Sequence, residues 1–127
     1  MAIIKSFRDL RAYQQARIEA HHVFEVTKTF PKEEKFSLTD QIRRSSRAVK
    51  SMIAEAWGHR RYPAVFVSKL TAAIGEANET QSWLDDALDC GYITAAQHQE
   101  SDSAWQAIGG MIANMIVKAD GFCGNAR

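Results

Sequence analysis

Residues 38–58 read LTDQIRRSSRAVKSMIAEAWG. Wound as a helix at 100° per residue, Leu38, Ile42, Ser45, Val49, Met52, Ile53 and Ala56 fall within roughly a third of the circumference. That stripe is expected to face the core of a helical bundle. Arg43, Arg47 and Lys50 line up on nearly the opposite side with Arg44 flanking them, and Arg60 and Arg61 follow just past the helix end. The core stripe therefore makes no use of these cations. Like charges spaced i, i+4 and i+7 repel by a few tenths of a kcal/mol per pair, so something outside the bundle, or water and salt, is expected to offset them. Three uses are open: a nucleic-acid backbone, a neighbouring subunit, or solubility alone.

Working outward, start and stop signals divide the chain into four segments of similar length. Ser6 with Asp9 three residues on predicts a helix start, and Pro31 disfavours helix at Phe30, which gives a first helix over about 6–29. Ser37 with Asp40 repeats the signal, and Gly58 ends a second helix over 37–58. Pro63 suits a first helical position, where its missing N–H costs nothing, and opens a third over 63–90. Thr94 with Gln97 forms a capping-box pattern for a fourth over 94–120, which ends at Gly121 before a frayed tail, FCGNAR. No stretch alternates with period two, and the short connections favour antiparallel neighbours. The expectation is one all-α domain over 1–127, an up-down-up-down antiparallel four-helix bundle.

Composition fits a folded domain. The chain has 127 residues, 46% hydrophobic and 24% charged, and a domain of this size buries roughly two-thirds of the surface its unfolded form exposes. Cys90 and Cys123 lack the close spacing of a zinc site or a redox pair, so neither metal nor disulfide is expected to hold the fold. A cytoplasmic location with reduced thiols is expected, since MAIIKSFRDL has too short an apolar run for a signal peptide. The most apolar segment, WQAIGGMIANMIVKA, is shorter than the roughly twenty residues that cross a bilayer. Net charge is +1, yet residues 1–61 carry +6 (13 Lys and Arg against 7 Asp and Glu) and residues 62–127 carry −5 (3 against 8). The basic half needs acidic company, within the chain, from a second copy, or from a polyanion.

In the third helix Phe66, Leu70, Ala73, Ala77, Leu84 and Leu88 make the core stripe, while Glu76, Glu79 and Trp83 fall together along one flank. A large aromatic beside two carboxylates has the composition of a subunit contact, or else covers a groove edge within one subunit. In the fourth helix Trp105, Ile108, Ile112, Met115 and Ala119 form the seam. Gly109 and Gly110 together cost about 2 kcal/mol of helix propensity, which a close backbone approach or a kink would explain.

Catalytic and metal patterns are incomplete. Glu19 and His22 form one Glu-x-x-His pair, but di-metal bundles need two such pairs and further inward carboxylates. Glu55 and His59 stand at i, i+4, a spacing that commonly means a helix-end ion pair. His21 and His22 point about 100° apart and cannot chelate together. There is no Gly-rich phosphate loop, nucleophile elbow or Cys-His constellation. No enzyme activity, cofactor or metal is expected.

FRDLRAYQQA, FPKEEKFSLTDQIRRSS, IAEAWGHRR and GEANETQSWLDDALDCGYI occur in an order and spacing that resembles a bacterial family of four-helix-bundle proteins. Its members were first noticed in open reading frames within intervening sequences of large-subunit ribosomal RNA genes. The resemblance covers residues 7 to about 118 and is sharpest in QIRRSS and ETQSWL with CGYI. It also extends to the accessory protein of diversity-generating retroelements, a basic homopentamer credited with contacts to nucleic acid and a reverse transcriptase. What it implies here is a homo-oligomer, with a pentamer favoured, and polyanion binding. Met52 and Ala56 stand where relatives commonly have Asn and Gly, and Ala56 should stiffen the helix.

Two functions follow as expectations. In the first, Arg43, Arg44, Arg47, Lys50, Arg60 and Arg61 lie along RNA or DNA phosphates without reading bases, since neither a recognition-helix motif nor an aromatic platform accompanies them. In the second, the protein is an oligomeric scaffold for protein contacts, and the basic face of one subunit meets the Glu76, Glu79 and Trp83 flank of the next.

Overall fold

The structure, a computed structural model, describes residues 3–124, and among them only helices and the turns that join them. Four long helices, α1 (Arg11–Thr27), α2 (Leu38–Gly58), α3 (Pro63–Asp89) and α4 (Ala95–Val117), precede a short α5 (Ala119–Gly124). Each long helix packs on its neighbour in the chain, and α1 closes the ring against α4 through the smallest of the four seams. Residues 59–62 and 90–94 are too few to do anything but reverse the chain, so the helices alternate in direction. The result is the antiparallel four-helix bundle that the apolar stripes require.

Packing follows those stripes. Ile42, Val49 and Ile53 from α2 meet Phe66 and Leu70 from α3 and Trp105, Ile108 and Ile112 from α4, all removed from solvent. Met52 is only half-buried, at the α2–α3 edge, while Thr39 and Ser46 join the buried side. Two core hydroxyls satisfy each other: Ser45 Oγ lies 2.8 Å from Thr80 Oγ1, which also donates to the Glu76 carbonyl at 2.9 Å. Trp105 is the exception. Its indole N–H is enclosed with no hydrogen-bond partner among the described residues.

The structure departs from the sequence reading at the start of α1, at the tail and within α4. Ser6 and Asp9 do form a capping box, but it closes a 3-10 turn over Phe7–Asp9, and α1 begins only after Leu10 adopts an extended conformation. Leu10 is buried under α1, and reaching the core is what bends the chain there. The tail does not fray at Gly121. α5 carries Phe122 onto Phe66 with ring centroids 5.8 Å apart and buries Cys123. Residues 125–127 of the expected tail lie outside the described residues. Gly109 and Gly110 sit inside an unbroken α4, and a Cβ at either would meet nothing within 4 Å, so no close approach explains them.

The second start signal works through a different residue. Ser37 does not cap α2 with its side chain. Instead its hydroxyl donates to Glu34, whose same oxygen lies 3.5 Å from the Leu38 N–H, so a carboxylate sits where the helix start is electropositive. The Tyr92 hydroxyl donates to the other Glu34 oxygen at 3.0 Å, tying this crossing to the α3–α4 turn. That turn is made by Gly91 at φ 75, with the Tyr92 N–H reaching the Ala87 carbonyl at 2.9 Å and the Gly91 N–H reaching that of Leu88 at 3.0 Å.

The Ser37 and Tyr92 hydroxyls hold the Glu34 carboxyl below its ordinary range, and the same carboxylate pushes the Tyr92 hydroxyl up to about 12. Glu34 is depressed in the folded state, so its stabilisation is present above the unfolded carboxyl pKa and lost as pH falls through the folded value. Tyr92 is raised, so its share is intact below 10.0 and lost as pH climbs from there towards about 12. The gap in melting temperature between the parent and Glu34→Gln should therefore be widest from about pH 6 to about pH 9 and narrow on both sides. A gap that does not vary with pH would place the stabilisation elsewhere.

Candidate nucleic-acid interface

The cationic side of α2 divides between its two neighbours. Towards α1, Arg43 is half-buried: its Nε donates to Thr27 Oγ1 at 2.8 Å, and its guanidinium lies 4.7 Å from the centre of the Phe24 ring. Arg47 stacks on the same ring at 5.4 Å, Lys28 at 4.9 Å, and Lys50 stands 6.0 Å from the Tyr13 ring. The repulsion within Arg43, Arg47 and Lys50 is thus offset inside the chain by two aromatic faces on α1. That corrects the expectation of an outside agent. Arg43 in particular is a strut between helices rather than a solvated charge.

Towards α3 the surface opens into a groove of about 910 Å³, whose lining includes Phe36, Arg44, Arg47, Met52, Glu76 and Glu79. Arg44 and Arg47 are exposed. Phe36, just before α2, is 86% exposed, with the Lys35 ammonium 5.3 Å from its ring centre. An exposed aromatic ring therefore shares the groove with the arginines, which corrects the expectation of none. The signal was FSLTD itself, with a Phe one residue before the cap of a cationic helix.

Of the acidic flank, Glu76 and Glu79 line the opposite bank of this groove and Trp83 does not. The Trp83 indole donates to Glu79 Oε1 at 3.3 Å, and Trp83 is half-buried against the core. Burial, then the charge of Glu79 and a hydrogen bond to it, push the Glu76 carboxyl up, and Arg44 pulls it partly back. Glu76 and Glu79 on α3 thus line the same groove as Arg44 and Arg47 on α2. Lower on the groove, Lys69 and Glu55 pair at 3.3 Å.

The remaining sequence candidates separate. Arg60 lies flat on Trp57, 3.9 Å from the ring centre, and donates to the Trp57 carbonyl at 2.9 Å, whereas Arg61 is exposed. His59 Nδ1 lies 2.8 Å from the Glu55 carbonyl, not its carboxylate, so the i, i+4 pair does not form. Glu19 and His22 do meet at 3.1 Å, on the rim of a cavity of about 370 Å³ between α1 and α4 floored by Val23, Val26, Phe30 and Leu84. His21 turns away to Glu25 at 3.5 Å.

A small antiparallel four-helix bundle with a groove of mixed charge between its second and third helices, lined by Lys35, Arg43, Arg44 and Arg47 together with Asp40, Glu55, Glu76 and Glu79, is the class of protein that this fold and surface define. The chain belongs to the 23S rRNA-intervening sequence protein family, whose sequence model matches residues 8–114. Among solved structures it is similar to a Bacteroides thetaiotaomicron protein of unknown function from the S23 ribosomal protein family. The two are 28% identical with a TM-score of 0.75, over 83% of this chain and 94% of that one. No curated protein sequence matches the chain. No helix among the described residues is long and apolar enough to cross a membrane.

Proposed function

We propose that the protein is a non-catalytic homo-oligomer, a pentameric ring, that binds nucleic-acid backbone along the α2–α3 groove and takes single strands in preference to duplex. The observation that carries this reading is that an 86% exposed Phe36 lines the same groove as the exposed Arg44 and Arg47. Cations supply affinity without sequence preference, and an exposed ring gives an unpaired base a face to stack on. Arg61 and Lys50 extend the positive surface, while Arg43 and Arg60 act mainly by holding α2 and its end in place. The exposed part of Trp83 is assigned to the subunit contact.

The scaffold reading has the basic and acidic faces pairing between copies. Light scattering and fluorescence anisotropy with labelled RNA, both read across a salt series, separate the two. The expected result is an assembly that stays whole as salt rises while binding disappears. Phe36→Ala should weaken single-stranded binding roughly 5- to 150-fold, the worth of one stacked base, and leave duplex binding near the parent's. A monomer at low salt overturns the ring. An oligomer that dissolves with salt and never binds RNA or DNA establishes the scaffold instead.

A further inference from the structure

Asp85 on α3 and His98 and Asp102 on α4 bring one imidazole and two carboxylates together on the opposite side of α3 from the groove. One ligand atom from each lies within 4.8 Å of the others, and among the described residues no other group of three or more His, Cys, Asp or Glu converges in this way. His98 and Asp102 stand one helical turn apart, so both side chains reach the same point from α4. Asp85 approaches from α3, with its Oδ1 2.8 Å from His98 Nε2.

The surroundings fix the group. The Gln81 amide donates to Asp102 Oδ1 at 3.2 Å and to the Asp102 carbonyl at 3.4 Å, and it is steadied by Gln106 Oε1 at 3.1 Å. Carboxylate ligands of metals are commonly oriented by such outer hydrogen bonds. The His98 side chain is 20% exposed and Asp85 65%, so an ion has a route in and the remaining coordination positions face water. Both helices are long and packed on each other, so the ligands sit on rigid elements.

We infer that Asp85, His98 and Asp102 form a binding site for a divalent transition metal ion, of the zinc, cobalt or nickel type, that clamps α3 to α4. The imidazole is the discriminating ligand: it suits these ions and is a poor partner for magnesium or calcium, which prefer all-oxygen shells. Binding would replace the His98–Asp85 hydrogen bond by two bonds to the ion, each about 2.0–2.2 Å long. The three ligands would leave at least one position for water. In the sequence only the i, i+4 spacing of His98 and Asp102 is visible; Asp85 joins them through the packing of α3 on α4.

The test uses the full chain without an affinity tag, stripped with chelator and titrated with cobalt(II) and zinc. Cobalt should develop visible d–d absorption at one ion per chain, zinc should displace it, and magnesium should not. Free zinc a hundredfold above its dissociation constant should raise the melting temperature by roughly 10 °C. His98→Gln and the exposed change Asp85→Asn should each lower affinity at least tenfold with unchanged helical circular dichroism, whereas His22→Gln and Cys90→Ser should not. Absence of cobalt absorption, or binding that survives both His98→Gln and Asp85→Asn, overturns the site. If either of those variants unfolds, the other decides.

Discussion

Replacing Arg44, Arg47 and Arg61 together by Gln is expected to take most of the salt dependence out of RNA binding. All three are exposed, and their side chains hold no hydrogen bond that the fold visibly relies on. On a single strand each neutralised phosphate contributes about −0.7 to the slope of log affinity against log salt, so three cations contribute about −2 per engaged subunit. The parent should then lose roughly 15-fold in affinity per engaged subunit between about 50 and about 200 mM salt. Several subunits of a ring acting on one strand multiply that factor. The triple variant should bind weakly at low salt, lose little more as salt rises, and do so for all sequences alike. Only a small stability change is expected, from loss of the Arg47 stack on Phe24. A variant with the parent's affinity and slope would place the phosphate contacts elsewhere and leave the groove without its proposed use. A parent that binds neither RNA nor DNA would do the same.

Trp105→Ala should be among the most damaging single changes in the core. The side chain is 0% exposed at the centre of the α4 seam, and emptying such a position costs about 3–5 kcal/mol. For a chain of this size that corresponds to a fall of roughly 10–25 °C in melting temperature. Trp105→Phe should behave quite differently. It leaves a smaller void and removes an enclosed N–H whose lack of a partner costs about 1–3 kcal/mol, so the two effects oppose each other. Urea unfolding of both variants, compared at equal m-value, measures the difference. If Phe proves as costly as Ala, the indole N–H has a partner such as a buried water, and packing alone does not describe the site.

The bundle was legible in the sequence because its evidence is local. The α2 stripe, Pro63 at the first position of α3 and the Thr94 and Gln97 capping box each involve residues within one helix, where spacing alone fixes geometry. Failures came where a contact crosses between elements. Ser37 looked like the cap of α2, but Glu34 holds that position because Tyr92, 58 residues away, secures its other oxygen. Arg43 looked solvated because a helical wheel has no neighbours drawn on it; Phe24 and Thr27 depend on how α1 registers against α2. Phe122 looked like part of a tail because its partner, Phe66, lies at the start of α3. The same limit hid the Asp85, His98 and Asp102 cluster, of which only the spacing of the last two was open to inspection.

The narrow seam between α1 and α4 bears on the order in which the bundle assembles. The broad contacts join helices adjacent in the chain, above all α2 with α3 and α3 with α4, and these close over short loops at little entropic cost. Joining α1 to α4 requires the whole chain to have returned to its beginning, and it covers the least surface. Low contact order of this kind favours fast folding, and the expected order has α1 docking last onto α2, α3 and α4, which low φ-values along α1 would show. The order reverses on opening. If α1 lifts away first, Phe24 and Tyr13 come into solvent and Arg43 and Lys50, half-buried in the closed bundle, join the already exposed Arg44 and Arg47, which hydrogen exchange of the α1 amides ahead of those of α2 to α4 would reveal.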